Sequence, residues 1–376
     1  MYKRVGGVAA ILASAVLLSV PAAGATPHVL VGILDESHAL YGNPDQTFPI
    51  LGQLHTQILR VDLYWGGKFG VAKRRPTDAT DPSDLAYDWS LYDRTVNYAA
   101  QYKIKLLFTV YGTPRWENGQ ATQNHAPKNF ADLQKFAYAA ATRYAGDYPA
   151  DDGRALPAVR YWTAWNEPNQ PFQLSPQYKR VGGKWVVQSA IDYAKICNAI
   201  YTGVHSTMLA GEKVACGVTA PGGNNAPTQS RPTISPIAFL QAAKKAGMKT
   251  FDAYAHHAYP RKPTETPTTP PPTNAVTLAN IGDLTKELTR LYGPKPVWIT
   301  EYGYQTTPPD PAGVSWAKQA AYLKQAYAIA RKNPRIQMLI WFLLKDEPIL
   351  SGWQSGLMTA TGKKKPAFTA FANLPH

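Results

Sequence analysis

Eight runs of apolar and β-favouring residues recur along this chain, most of them separated from the next by a stretch patterned for a helix. The runs are His28 to Leu34, Gln57 to Trp65, Lys103 to Tyr111, Val159 to Asn166, Lys213 to Thr219, Ala253 to Tyr259, Val297 to Glu301 and Ile336 to Leu344. Leu91 to Tyr102, Phe130 to Tyr144, Ser189 to Ser206, Pro236 to Ala246, Leu278 to Leu291 and Trp316 to Lys332 carry apolar residues at helical spacing, and Asn333-Pro334 closes the last of them. The connection Asp35 to His55 is turn-rich and predicts at most a short helix, while Pro366 to Leu374 predicts a final one. Alternating strands and helices build parallel sheets, and eight such units close a barrel. The expected fold class is therefore α/β, a (β/α)8 TIM barrel forming one domain over residues 26–376.

Residues 1–25 read as a cleaved signal peptide: Lys3 and Arg4 precede the apolar run Val8 to Val20, and Ala23-Gly24-Ala25 supplies small residues for cleavage. No later stretch is apolar enough to span a bilayer, so the expectation is a secreted, extracellular chain with no stable membrane insertion. The formal net charge of +14 attracts polyanions in general, and loose association with an anionic cell wall is one consequence. The charge is mostly scattered, with Lys363-Lys364-Lys365 a tight cluster, and no nucleic-acid motif accompanies it; no nucleic-acid partner is expected. Export permits a disulfide between Cys197 and Cys216, with two free buried thiols as the alternative.

The segments after strand ends are longer than those before strands: Gly66 to Ser83, Gly112 to Lys128, Asn169 to Lys184, Pro221 to Pro232 and Lys345 to Lys365. In a (β/α)8 barrel these build the binding face. Arg261 to Thr273 is Pro/Thr-rich and reads as an extended rim loop.

Two of the strand-like runs end on a carboxylate. Trp165-Asn166-Glu167-Pro168 closes the fourth, and Ile299-Thr300-Glu301-Tyr302-Gly303 closes the seventh. Two carboxylates on one barrel rim can flank a glycosidic bond, one protonating the leaving oxygen and the other attacking or activating water. Trp162 and Trp165 beside Glu167 predict an apolar setting that raises its pKa, as a general acid needs. Glu301 must stay ionised, and Arg60 near the end of strand two and Tyr259 on the neighbouring strand are placed to donate to it. Plain strand-end salt bridges, or a barrel-interior Arg60–Asp62 pair, are the structural alternatives.

His256 and His257 end the sixth run on opposite faces, so only one looks into the barrel mouth; His257 shares a face with Tyr259 and is assigned to the site. Aromatic faces stack on sugar rings, which makes Trp341, Trp116 and Trp353 candidate substrate contacts, although most barrel tryptophans serve packing. Ligand spacings for a metal, a nucleophile-elbow serine and nucleotide-binding glycine loops are absent, so no metal and no cofactor are expected.

With these residues in place, nearly the whole exported chain resembles clan A glycoside hydrolases, the (β/α)8 retaining glycosidases that include families 39 and 5. Arg60 matches the arginine of strand two, Asn166-Glu167 the Asn-Glu pair of strand four, and His257 with Tyr259 the His-x-Tyr of strand six. Glu301 matches the nucleophile of strand seven and Trp341 the tryptophan of strand eight, and the tail around Lys365-Pro366-Ala367 resembles the clan's closing segment. The resemblance implies Glu167 as acid/base, Glu301 as nucleophile, Asn166 as a contact to a sugar 2-hydroxyl, and an oligo- or polysaccharide substrate. One departure stands at strand three, where some members carry a histidine and this chain reads Thr109-Val110-Tyr111-Gly112, so that Tyr111 or Arg115 would fill that volume. Two other readings compete: a catalytically silent carbohydrate-binding barrel, and a metal-dependent hydrolase using His256, His257 and Asp252.

Overall fold

A computed structural model describes residues 29–119, 122–150 and 152–375; the expected signal peptide lies outside them. Eight parallel strands form the barrel: β1 (Leu30–Leu34), β2 (Ile58–Tyr64), β3 (Lys105–Tyr111), β4 (Tyr161–Ala164), β5 (Lys213–Thr219), β6 (Ala253–His257), β7 (Val297–Tyr302) and β8 (Ile336–Phe342). Each pairs with its sequence neighbours, and β1 closes the ring against β8 from Leu30↔Met338 to Leu34↔Phe342. The expected eight-stranded barrel is the observed one, with most strand ends shorter than the apolar runs.

Strand alternation divides the core in two. Leu34, Ile58, Leu107, Ala215, Ala253, Ala255, Trp298, Met338 and Ile340 fill the barrel's interior as one cluster. The intervening residues face outward into a larger cluster shared with the helices. The helix Phe130–Arg143 starts where the Asn129 side chain accepts the Ala131 N–H, a cap that satisfies an otherwise unpaired donor. It packs against Gln188–His205, where Gly203 permits the approach: a Cβ there would lie 2.3 Å from the Gln134 carbonyl oxygen. Cys197 on that second helix and Cys216 on β5 form a disulfide, Cα atoms 5.9 Å apart. Among the described residues no helix is long and apolar enough to cross a membrane.

Three connections depart from expectation. Asp35 to His55 holds the short helix Glu36–Ala39 and a ten-residue helix, Pro44–Gln53, rather than at most one short piece. Asn43 caps the longer helix and Pro44 occupies its first turn, so residues that read as turn formers act as a helix start. The segment after β4 contains an antiparallel hairpin, Tyr178–Val181 with Lys184–Val187, turned by Gly182 and Gly183 at φ +55° and +79°. Arg261 to Thr273 is turned rather than extended, because the Glu265 carboxylate accepts the N–H groups of Arg261 and Lys262.

Candidate active site

Local backbone irregularities aim both glutamates. Between β6 and β7 the register moves from His256↔Ile299 to His257↔Glu301, which leaves Thr300 as an extra residue. Such a bulge re-aims the following side chain, here turning Glu301 into the barrel mouth. At the end of β4 the chain leaves the strand through Trp165 at φ +67° and Glu167 at φ +35°. The Glu167 N–H donates to the carbonyl of Val218, itself at φ +48°, at 2.9 Å. Left-handed backbone at non-glycine residues is costly and persists where surrounding bonds enforce it.

Arg60, fully buried on β2, holds the site together. Its Nη1 donates to Glu301 Oε1 at 2.8 Å and to the Thr300 carbonyl at 3.2 Å, and its Nη2 to Asn166 Oδ1 at 2.8 Å and Asp62 Oδ1 at 3.3 Å. Nε donates to Thr109 Oγ1 at 2.9 Å. The Nε2 of His257 lies 3.1 Å from Arg60 Nη1. A guanidinium can only donate, so this ring nitrogen accepts and the proton resides on Nδ1. That proton faces Glu167 Oε1 at 2.9 Å and Glu301 Oε2 at 3.4 Å. Burial pushes the His257 pKa down to about 3, leaving a neutral, oriented imidazole.

The carboxyl groups differ in their surroundings. Burial raises the Glu167 pKa to about 7, only partly opposed by Arg60. Glu301 is also raised by burial, but the His257 ring and the Arg60 guanidinium pull it back. Tyr259 adds a hydroxyl that donates to Glu301 Oε2 at 3.1 Å. One group is thus a proton carrier near neutrality, and the other is the carboxylate that fixed donors favour as an anion.

Arg60, Asn166, Glu167, His257, Tyr259 and Glu301 therefore converge, and a cleft of about 670 Å³ opens above them. Trp353 lines that cleft, 47% exposed. Two other tryptophans do not. Trp341 is 2% exposed on the outer face of β8, its indole N–H donating to the Ser355 carbonyl, because it stands one residue out of phase with interior Met338 and Ile340. The cleft residue on that strand is Phe342. Trp116 packs edge-on against Trp65 with Arg75 over its ring, away from the cleft. Trp162 likewise faces the helix layer against Phe108, so it plays no part around Glu167. Tyr111 fills its corner by packing on Trp165 at 4.9 Å. The cleft also takes in Glu36, Phe172 and Gln173, which the motifs did not single out, and Asp62, which was expected only as an ion-pair partner of Arg60 and does pair with it. Counting in twos from Arg60 would have found Asp62.

One ligand atom from each of Glu167, His257 and Glu301 lies within 4.8 Å of the other two, a spacing that suits a cation. The chemistry of the set does not suit a metal: Nδ1 carries the proton, and Arg60 already stands against Glu301 as the cation. The trio His256, His257 and Asp252 is not assembled. His256 bonds Thr219 and the Val276 carbonyl, and Asp252 pairs with His205 at 2.8 Å. A larger groove, about 1100 Å³, lies on the barrel's exterior between the helices Trp316–Lys332 and Pro366–Ala372, with no carboxylate or histidine among its lining residues.

The structure is similar to a family 39 glycoside hydrolase from the gut symbiont Bacteroides cellulosilyticus WH2, with TM-score 0.63 and 20% identity over 92% of this chain and 63% of that one. It is similar to a glucosidase from Croceicoccus marinus, with TM-score 0.66 and 13% identity over 92% of this chain and 66% of that one. Fungal beta-1,4-galactanases match with TM-score 0.60 and 14% identity over 93% of this chain and 100% of theirs. The chain spans just under two thirds of the first two proteins' length, and the shared property is the (β/α)8 barrel fold. No curated protein matches the sequence. Residues 115–375 match the model of a family of unknown function, DUF5722, and the chain belongs to that family.

Proposed function

We propose that this protein is a secreted glycosidase that hydrolyses O-glycosidic bonds of oligo- or polysaccharides with retention, by double displacement. The observation that carries the reading is that both carboxylates share one ring nitrogen, His257 Nδ1, at 2.9 Å from Glu167 Oε1 and 3.4 Å from Glu301 Oε2, which brings one oxygen of each within 4.8 Å and supports the closer of the two known spacings. Retaining enzymes hold their carboxyl groups about 5–5.5 Å apart, whereas inverting enzymes leave about 6.5–9.5 Å for a water. Glu301 attacks the anomeric carbon while Glu167 gives its proton to the departing oxygen. Glu167, now ionised, takes a proton from water, which hydrolyses the glycosyl ester and releases Glu301. His257, donating from Nδ1, steadies whichever carboxylate carries the charge. Arg60 and Tyr259 keep Glu301 ionised and oriented. Export rests on the leader at residues 1–25 and accords with the disulfide; the positive charge favours loose association with an anionic cell wall.

Glu301→Gln is expected to lower kcat by at least about a thousandfold with an unchanged circular dichroism spectrum. Glu167→Ala is expected to lose most activity, and to recover part of it with azide on substrates whose leaving group needs no proton, yielding a glycosyl azide of retained configuration. NMR of the first-formed product decides the stereochemistry. Inversion there, or near-wild-type turnover by Glu301→Gln, would overturn the mechanism. Sugar binding without hydrolysis across a broad glycoside panel would replace it with the silent carbohydrate-binding reading.

A further inference from the structure

The two sides of the cleft are chemically unlike, and the proposed mechanism says which side holds which half of the substrate. Glu167 protonates the leaving oxygen from the end of β4, so the aglycone lies over the segments that follow β4 and β5, where Phe172, Gln173 and Pro221 line the cleft. The glycone must then occupy the opposite arc, which in the barrel order is β8, β1 and β2. That arc presents Phe342 and Trp353 as an apolar corner, their rings 5.5 Å apart and nearly perpendicular, together with Leu34. Beside them on the same arc stand two acceptors, Glu36 just after β1 and Asp62 on β2.

We infer that Glu36 and Asp62 select an uncharged glycone, accepting hydrogen bonds from its hydroxyls over the Phe342–Trp353 corner and rejecting uronic acids. This rests on the glycosidase reading of the same cleft. Glu36 is tied down by the Asp62 N–H on Oε1 at 2.7 Å and the Tyr64 hydroxyl on Oε2 at 3.3 Å. Asp62 is held by Arg60. Held in this way, both groups present fixed acceptor oxygens to vicinal hydroxyls, and Glu36 keeps acceptor lone pairs while it carries its proton. A uronate would add a further negative charge beside this pair, and among the described residues that line the cleft no cation lies on this arc. The donors of Arg60 are directed at Thr109, Glu301, Thr300, Asp62, Asn166 and His257. Arg261 lies against Gly222 after β5, on the aglycone side. The corner already resists negative charge: burial, then the charge of Asp62, holds the Glu36 carboxyl well above the usual range.

The test compares 4-nitrophenyl glycosides of neutral hexoses and pentoses, in both anomers, with the corresponding glucuronides and galacturonides. For the wild type, kcat/KM is expected to be at least about a hundredfold higher on the best neutral glycoside. Glu36→Gln and Asp62→Asn should each lower that value about tenfold or more and narrow the gap to the uronides. A uronide cleaved within tenfold of the best neutral substrate overturns the inference, as do variants with an unchanged gap. Calorimetric titration of Glu301→Gln with the same compounds reads the preference without turnover. Tighter binding of neutral glycosides supports the inference even if wild-type hydrolysis fails and the mechanism falls with it; equal or tighter binding of uronides, or binding of neither class, overturns it.

Discussion

A carboxyl group that holds its proton up to about pH 7, as Glu167 does, serves catalysis and burdens the fold. Between the ordinary 4.5 and about 7, the folded chain keeps a proton that the unfolded chain has released. Stability from this group is complete below the lower value and is lost as pH rises through the upper one, by up to about 3 kcal/mol. Glu167→Gln is therefore expected to be more stable than wild type at pH 8, by roughly 1–3 kcal/mol, and nearly equal to it at pH 4; urea unfolding at both pH values checks this. The same proton governs rate: kcat/KM should fall as pH rises above about 7. Arg60 is the other residue on which the site depends. Arg60→Lys keeps the charge but cannot span Thr109, Glu301 and Asn166 at once, and it should lower kcat by about a hundredfold. Arg60→Met leaves the buried carboxylates unpaired and should destabilise the fold by about 3–5 kcal/mol, read from chemical denaturation. Residue identity was legible in the sequence because glutamates closing apolar runs are rare pairings of charge and β pattern. Trp341 was misplaced because a strand sends neighbours to opposite faces, and one step of phase separates the cleft from the core.

At the scale of elements, the site depends on how β4 and β5 end. Tyr193, buried on the helix Gln188–His205, donates its hydroxyl to the Ala164 carbonyl at 2.9 Å and accepts the Gly217 N–H at 2.6 Å. One phenol thereby ties two strand ends to their helix, just below Glu167 and Val218. Tyr193→Phe leaves a buried donor and a buried acceptor unsatisfied and is expected to cost about 1–3 kcal/mol, measured by urea unfolding. Gly217 is required at that junction: its φ is +99°, and a Cβ would stand 2.4 Å from the Tyr254 ring. The strands were legible as apolar runs, and most of the helices by their spacing. The β7 bulge and the left-handed residues at the end of β4 were not, since no local pattern marks where a ladder slips by one residue. The glycine-turned hairpin after β4 was hidden for a different reason: its strands are largely exposed and lack apolar alternation.

For the molecule as a whole, the Cys197–Cys216 bridge closes a short loop between a helix and β5. Replacing both cysteines by serine should lower stability by about 3 kcal/mol and leave kcat at 25 °C unchanged, because neither sulfur approaches the cleft; thermal unfolding and steady-state rates check the two halves of this statement. The charge of the chain and the charge of its cleft have opposite signs. The whole is formally +14, while Glu36, Asp62, Glu167, Glu301 and Glu347 all line the cleft. Composition alone therefore says little about what the cleft accepts. What the sequence determined by itself was the barrel, through eight alternating runs, and the pair of acids, through their place at the ends of two of them. Periodicity is a local property, and it survives in one dimension. The tertiary structure alone decided which ring faces the cleft, that Arg60 links six partners drawn from four strands and the turn after β4, and that Glu36 and Asp62 share an arc of the cleft with the aromatic corner. Most of those relations join residues tens to hundreds of positions apart, and only closure of the barrel brings them together.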